Sequence, residues 1–133
     1  MNLTLNYIGF VVSDMAAALA FYRLLGLPIP AEASATDDHF EIKVNGLRVA
    51  WDKETLIGQL DPDWTPPTQA GRVGVAFEAP MPAEVDAAVA RLRSTGYIIK
   101  TEPWDAFWGQ RYATVLDPDG TPIDLFAWLD GAQ

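Results

Sequence analysis

From Asn6 to Val12 the side chains alternate, with Asn6, Ile8, Phe10 and Val12 on one side and Tyr7, Gly9 and Val11 on the other. This is the period of a strand with one apolar face. Ser13 or Asp14 then offers a helix cap, and Met15, Ala18, Leu19, Tyr22 and Leu25 recur at spacings of three and four as far as Gly26. That spacing predicts a helix with a single buried stripe and a glycine stop. Strands are expected over 27–31, 40–44 and 47–52, the last two joined at Asn45-Gly46, a pair suited to a tight hairpin turn. The order reads βαβββ.

The same order returns further along. Residues 73–78 read as a strand, and 82–95 as a helix with Val85, Ala88, Val89 and Leu92 inward and Gly96 as its stop. Strands follow over 97–101, 111–116 and 122–128. Superposing the two copies pairs Phe10 with Phe77, Leu19 with Val89, Gly26 with Gly96 and Gly46 with Gly120, which makes an internal repeat. The segment 53–70, with Asp61-Pro62 and Pro66-Pro67, reads as a linker that also carries Trp64. The expected organisation is one domain over 1–133, with module 1 at 1–52, the linker at 53–70 and module 2 at 71–133. Its class is α+β.

Half of the 133 residues are apolar, enough for one sizeable core. The net charge is −9, with Lys and Arg scattered singly, so nucleic acid is not an expected partner and a cationic ligand is favoured over an anionic one. The chain has no cysteine, which removes thiolate chemistry, disulfides and cysteine metal sites. No leader pattern and no apolar run of membrane-spanning length is seen, so no membrane partner is expected and the expected location is the cytoplasm.

The paired βαβββ modules, the opening YIGFVVSDMAAALAFYRLLGL and the closing WGQRYATVLDPDGTPIDLFAW resemble the vicinal oxygen chelate superfamily of glyoxalases, extradiol dioxygenases, fosfomycin-modifying enzymes and bleomycin resistance proteins. The turn Asp117-Pro118-Asp119-Gly120, with Asp124 four places after the glycine, is its most specific part. The resemblance implies a mostly antiparallel curved sheet forming a cup, with helices outside and a ligand inside. It also implies that metal-dependent relatives would carry ligands at the positions of Tyr7, Ala50, Gly74 and Asp124. Of these, only Asp124 suits a divalent metal. The chain has one histidine, His39, so no two-histidine site can form within a subunit. His39 itself is expected to be solvated, and no metal or other cofactor is expected.

Without ligands for a metal, the aromatic residues become the candidates. The run EPWDAFWGQRY, from Glu102 to Tyr112, places Trp104, Phe107 and Trp108 within a connection between strands, next to Arg111 and Tyr112. Rings clustered on a rim make a stacking platform for a planar molecule. Asp124, Phe126 and Trp128 share one side of the last strand, and Arg48, Ala50 and Asp52 share one side of the first hairpin. The expected ligand site therefore comprises Tyr7, Asp52, Trp64, Trp104, Phe107, Trp108, Arg111, Tyr112, Asp124 and Phe126. An Asp124–Tyr7 contact reads as a structural hydrogen bond.

Such a pocket is similar in kind to the bleomycin resistance branch, whose members are small cytoplasmic homodimers that hold a drug without altering it. The resemblance thus implies a homodimer that sequesters a bulky aromatic natural product, cationic or DNA-intercalating, to give self-resistance. The rival readings are a metal-dependent enzyme of the glyoxalase or dioxygenase kind and an accessory protein of a biosynthetic pathway.

Overall fold

A computed structural model describes residues 1–33, 35–69 and 72–130. The chain is α+β and falls into two compact units, Met1–Pro66 and Pro67–Gln133.

In the first unit, strand β1 (Tyr7–Val12) pairs in parallel with β3 (Leu47–Lys53), which pairs antiparallel with β2 (His39–Val44). The sheet order is β1-β3-β2. The hairpin between β2 and β3 turns at Asn45 and Gly46, with φ of 52° and 82°. Left-handed backbone at both central residues matches the twist of the flanking strands, which is why Asn-Gly serves here. Helix α1 (Met15–Leu24) starts at Asp14, whose carboxylate accepts from the Ala17 N–H at 3.0 Å. Its Tyr22 packs against Phe10 and Trp51 at centroid distances of 4.7 and 5.5 Å, so the odd-numbered side of β3 faces this helix. Met15, Ala18, Leu19, Phe21, Tyr22 and Trp51 are the buried centre of this unit.

Two sequence expectations fail in this unit. The segment 27–31 forms no strand, because Pro28 and Pro30 have no N–H to give a ladder. The Ile29 N–H folds back on Leu27 O at 2.7 Å, and Arg23 takes Ile29 O and Pro30 O at 3.0 and 2.8 Å. The first module is therefore βαββ. The expected linker instead opens with helix α2 (Glu54–Leu60), whose residues are none of them buried. A helix without a buried stripe leaves no periodic signal to read.

In the second unit the sheet order is β4-β7-β6-β5, with β4 (Val75–Glu78) parallel to β7 (Pro122–Trp128) and the other pairs antiparallel. Helix α3 (Pro82–Ser94) buries Val85, Val89 and Leu92 and packs on β5, β6 and β7. Beneath it lie Ala113, Val115, Ile123, Leu125 and Ala127, the buried apolar positions of β6 and β7. Strand β5 runs Ile99–Ala106, longer than the expected 97–101, and β6 runs Gln110–Leu116. Trp104 is consequently a strand residue and not a loop residue. Pro103 is tolerated inside β5 because β5 is an edge strand, and the ladder shifts register between Thr101 and Trp104.

The internal repeat has a backbone counterpart. Gly26 and Gly96 have φ of 107° and 102°, and each ends its helix with the same pair of bonds. Gly26 N–H reaches Arg23 O and Leu27 N–H reaches Tyr22 O, while Gly96 N–H reaches Arg93 O and Tyr97 N–H reaches Leu92 O. This is the Schellman closure, which places a residue in the left-handed region that glycine occupies without cost.

Candidate functional site

The side of the first sheet away from α1 carries a continuous polar network. Counting back from the Asn45-Gly46 turn, His39 lies opposite Asp52, and Glu41 lies opposite Ala50. His39 Nδ1 is 2.5 Å from Asp52 Oδ1, and His39 Nε2 is 2.9 Å from Glu41 Oε1. Arg48 donates Nε to Glu41 Oε2 at 2.7 Å and Nη2 to Glu41 Oε1 at 2.9 Å. The Tyr7 hydroxyl donates to Asp52 Oδ2 at 2.9 Å, and the Arg48 guanidinium lies 4.9 Å from the Tyr7 ring centroid.

A neutral imidazole has one N–H, yet both His39 nitrogens face carboxylate oxygens. The ring is satisfied on both sides only as imidazolium. Glu41 first and then Asp52 accordingly hold the His39 pKa above its ordinary 6.5. Arg48, then His39, holds Glu41 down to about 2. Burial, then the bond to Asp52, pushes the Tyr7 phenol up to about 12. His39 therefore stabilises the fold fully below pH 6.5, and that contribution is lost as pH rises through its raised folded value. Glu41 acts oppositely, its contribution being lost as pH falls from 4.5 towards 2. Urea midpoints from pH 6 to 9 should fall more steeply for the wild type than for His39→Gln. Parallel curves would show that His39 is not charged in the fold.

The long reach of Tyr7 to Asp52 depends on Gly9. A Cβ built on Gly9 would sit 2.9 Å from Tyr7 Cε1 and 3.1 Å from its hydroxyl, so the ring lies flat over this residue. Gly9→Ala should force the ring off and break the bond to Asp52, at a cost of roughly 1–2 kcal/mol. In a spectrophotometric tyrosine titration, Tyr7 and Tyr112 should both titrate near pH 12 in the wild type, and in Gly9→Ala one of these two phenols should move toward 10. An unchanged titration would place the ring elsewhere.

In the second unit the candidate rings gather around Trp108. Its centroid lies 5.6 Å from Trp104, 4.9 Å from Phe107 and 5.2 Å from Tyr112, all in edge-to-face contact. Its Nε1 donates to Gln110 Oε1 at 2.7 Å. The β5 and β6 ladder places Trp104 opposite Tyr112, and Tyr112 lies opposite Phe126 on β7. Trp104 and Trp108 keep 40% and 43% of their surface exposed, and Phe107 keeps 91% at the hairpin turn. Next along the same face, Thr114 Oγ1 donates to Asp124 Oδ1 at 2.8 Å, and this carboxylate lies beside the Tyr112 phenol. Burial, then this carboxylate, pushes the Tyr112 phenol up to about 12.

Several expected members fall elsewhere. Arg111 lies on the α3 side of the sheet, donating to Asp86 Oδ1 at 2.9 Å and to Asp105 Oδ1 at 3.1 Å. Adjacent strand residues point to opposite sides, so Arg111 and Tyr112 cannot share a face. Trp64 is half-buried beyond α2, where its N–H closes a turn on Asp61 O at 3.0 Å. Among the described residues no hydrogen bond or ring contact joins it to the network of the first sheet. Tyr7 bonds to Asp52 rather than to the expected Asp124. His39 is not merely solvated: with Glu41 and Arg48, which the expected site omits, it joins Asp52 and Tyr7, which the expected site includes. The hairpin count from Asn45-Gly46 was the signal that could have found it.

The positions that the resemblance assigns to metal ligands do not fit a metal. Ala50 and Gly74 have no side-chain donor atom, Tyr7 keeps its proton and donates a hydrogen bond to Asp52, and Asp124 accepts from Thr114. In the first network the two His39 nitrogens point to different carboxylates, so its donors do not converge. Among the described residues no group of three or more His, Cys, Asp or Glu is arranged to hold a metal ion.

Residues 4–125 match the family model described as Glyoxalase/Bleomycin resistance protein/Dioxygenase superfamily. No curated protein matches the chain. Among solved structures, a glyoxalase/bleomycin resistance protein/dioxygenase from Nocardioides is 27% identical, with a TM-score of 0.76 over 100% of this chain and 88% of that one. A glyoxalase-related enzyme from Fulvimarina pelagi is 18% identical, with a TM-score of 0.77 over 93% and 87%. A lactoylglutathione lyase from Agrobacterium tumefaciens is 19% identical, with a TM-score of 0.66 over 96% and 95%. At these last two identities the likeness is one of fold.

Proposed function

The chain belongs to the Glyoxalase/Bleomycin resistance protein/Dioxygenase superfamily, and we propose that within it this protein binds a bulky aromatic small molecule without a metal and without altering it. Sequestration of a natural product or antibiotic, and resistance to it, is the role such binding would serve. We place the protein in the cytoplasm as a homodimer on the same reading. One observation carries it: Trp104, Phe107, Trp108 and Tyr112 form a ring cluster on one side of the second sheet whose tryptophans stay about two-fifths exposed. Large rings left half in water are a standing gain for any flat apolar ligand that covers them. The metal positions, filled by Tyr7, Ala50 and Gly74, support the metal-free part of the reading.

The test is a titration of the full chain with a panel of planar aromatic antibiotics, followed by tryptophan fluorescence and thermal unfolding. A true ligand at a hundred times its Kd should add about 2.7 kcal/mol of stability. Quenching together with a raised Tm, unchanged by a chelator, is the expected result. A broad panel with no effect on either signal would sink the proposal, and a stoichiometric metal whose removal abolishes turnover would favour the enzyme reading instead.

A further inference from the structure

The Glu41 carboxylate is gripped by two cations. Arg48 meets it with Nε on Oε2 at 2.7 Å and Nη2 on Oε1 at 2.9 Å, and His39 Nε2 meets Oε1 at 2.9 Å. The two-pronged approach of a guanidinium is the geometry that fits a planar carboxylate. Both cations have anchors other than Glu41. His39 is fixed through Nδ1 on Asp52 at 2.5 Å, and Asp52 is braced by the Tyr7 hydroxyl at 2.9 Å. Arg48 turns Nη1 to Asn6 Oδ1 at 3.3 Å and rests near the Tyr7 ring.

Among the described residues the Glu41 carboxylate is held by these two cations alone. Glu41 sits on β2, an edge strand, with one third of its side chain exposed, 33%. Its neighbour across the ladder is Ala50, which offers it nothing to hold. Removing the Glu41 side chain would leave the Arg48 guanidinium and the His39 Nε2 aimed at one vacated position, each side chain still held by other residues.

We propose that Arg48 and His39 form a recognition site for the carboxylate of a small-molecule ligand, with Glu41 as a built-in occupant that the ligand displaces. The proposal does not rest on the ring cluster and stands whether or not that cluster binds an aromatic molecule. Self-occupation suits a chain of net charge −9, because it keeps the two cations neutralised until a ligand arrives. A tethered carboxylate competes at an effective concentration on the order of millimolar or higher. Simple acids therefore bind poorly, and a molecule with further contacts to the protein opens the site.

The test uses the full chain and sodium acetate, with sodium chloride as the ionic-strength control. His39 is the single histidine, so its imidazole NMR signals report the site without ambiguity. In Glu41→Ala, acetate should shift these signals saturably and chloride should not. In the wild type the same shift should be reached only at about tenfold or more higher acetate. Adding Arg48→Met to Glu41→Ala should abolish the response. The proposal is overturned if Glu41→Ala responds to acetate no better than to chloride, if the double variant responds unchanged, or if the wild type never responds. Should Glu41→Ala fail to fold, Glu41→Gln decides by the same comparison, since its neutral amide is held less tightly than a carboxylate.

Discussion

Replacing Trp108 by alanine should weaken binding of a planar aromatic ligand by about thirtyfold, the loss expected of a binding hot spot near 2 kcal/mol. Trp108 touches Trp104, Phe107 and Tyr112, so its removal takes away one wall and frees the other three rings. Its own exposure of 43% keeps the cost to folding small beside the loss of affinity. Arg111→Ala is the matched control, because its guanidinium is spent on Asp86 and Asp105 on the α3 side. Fluorescence titration of the remaining tryptophans measures both variants. If Trp108→Ala binds as the wild type does, the ring cluster is a structural feature of the hairpin and not a platform.

Trp51→Ala should cost about 3–5 kcal/mol, a large part of the total stability of an ordinary domain. Trp51 is fully buried, and its ring meets Phe10 at 6.0 Å, Tyr22 at 5.5 Å and Phe40 at 6.3 Å. Strands β1, β2 and β3 and helix α1 thus all lean on one side chain. Trp51→Phe should cost well under half as much, since the ring contacts survive in part and the buried Nε1, which has no partner among the described residues, is removed. Urea unfolding of both variants checks the pair. A Trp51→Ala loss near 1 kcal/mol would mean that the ring cluster collapses around the gap.

The errors of the sequence reading have separate causes. The 27–31 segment looked like a strand because its apolar residues alternate, but two prolines leave the ladder too few donors and Arg23 claims the carbonyls. Helix α2 was invisible because it buries nothing. Arg111 was placed with the rings by proximity in sequence, although alternation along β6 already sets it opposite Tyr112. Trp104 falls outside the expected strand 97–101, and the edge position that lets β5 run on through Pro103 is not written in local sequence.

By itself the sequence determined the local and repeating features: the two related modules, both helix stops at Gly26 and Gly96, and the Asn45-Gly46 turn. These follow from short-range sterics and from a hairpin register that a two-residue loop leaves no freedom to change. It also determined that Ala50 and Gly74 bring no side-chain donor to the positions that the resemblance assigns to metal ligands. Only the tertiary structure decided that Tyr7 bonds to Asp52 and not to Asp124. The parallel pairing of β1 with β3 joins segments some forty residues apart, and the missing side chain at Gly9 lets the ring lie along the sheet. The convergence of Arg48 and His39 on Glu41 was decided in the same way, because three rotamers on two strands meet there and no spacing in the chain encodes rotamers.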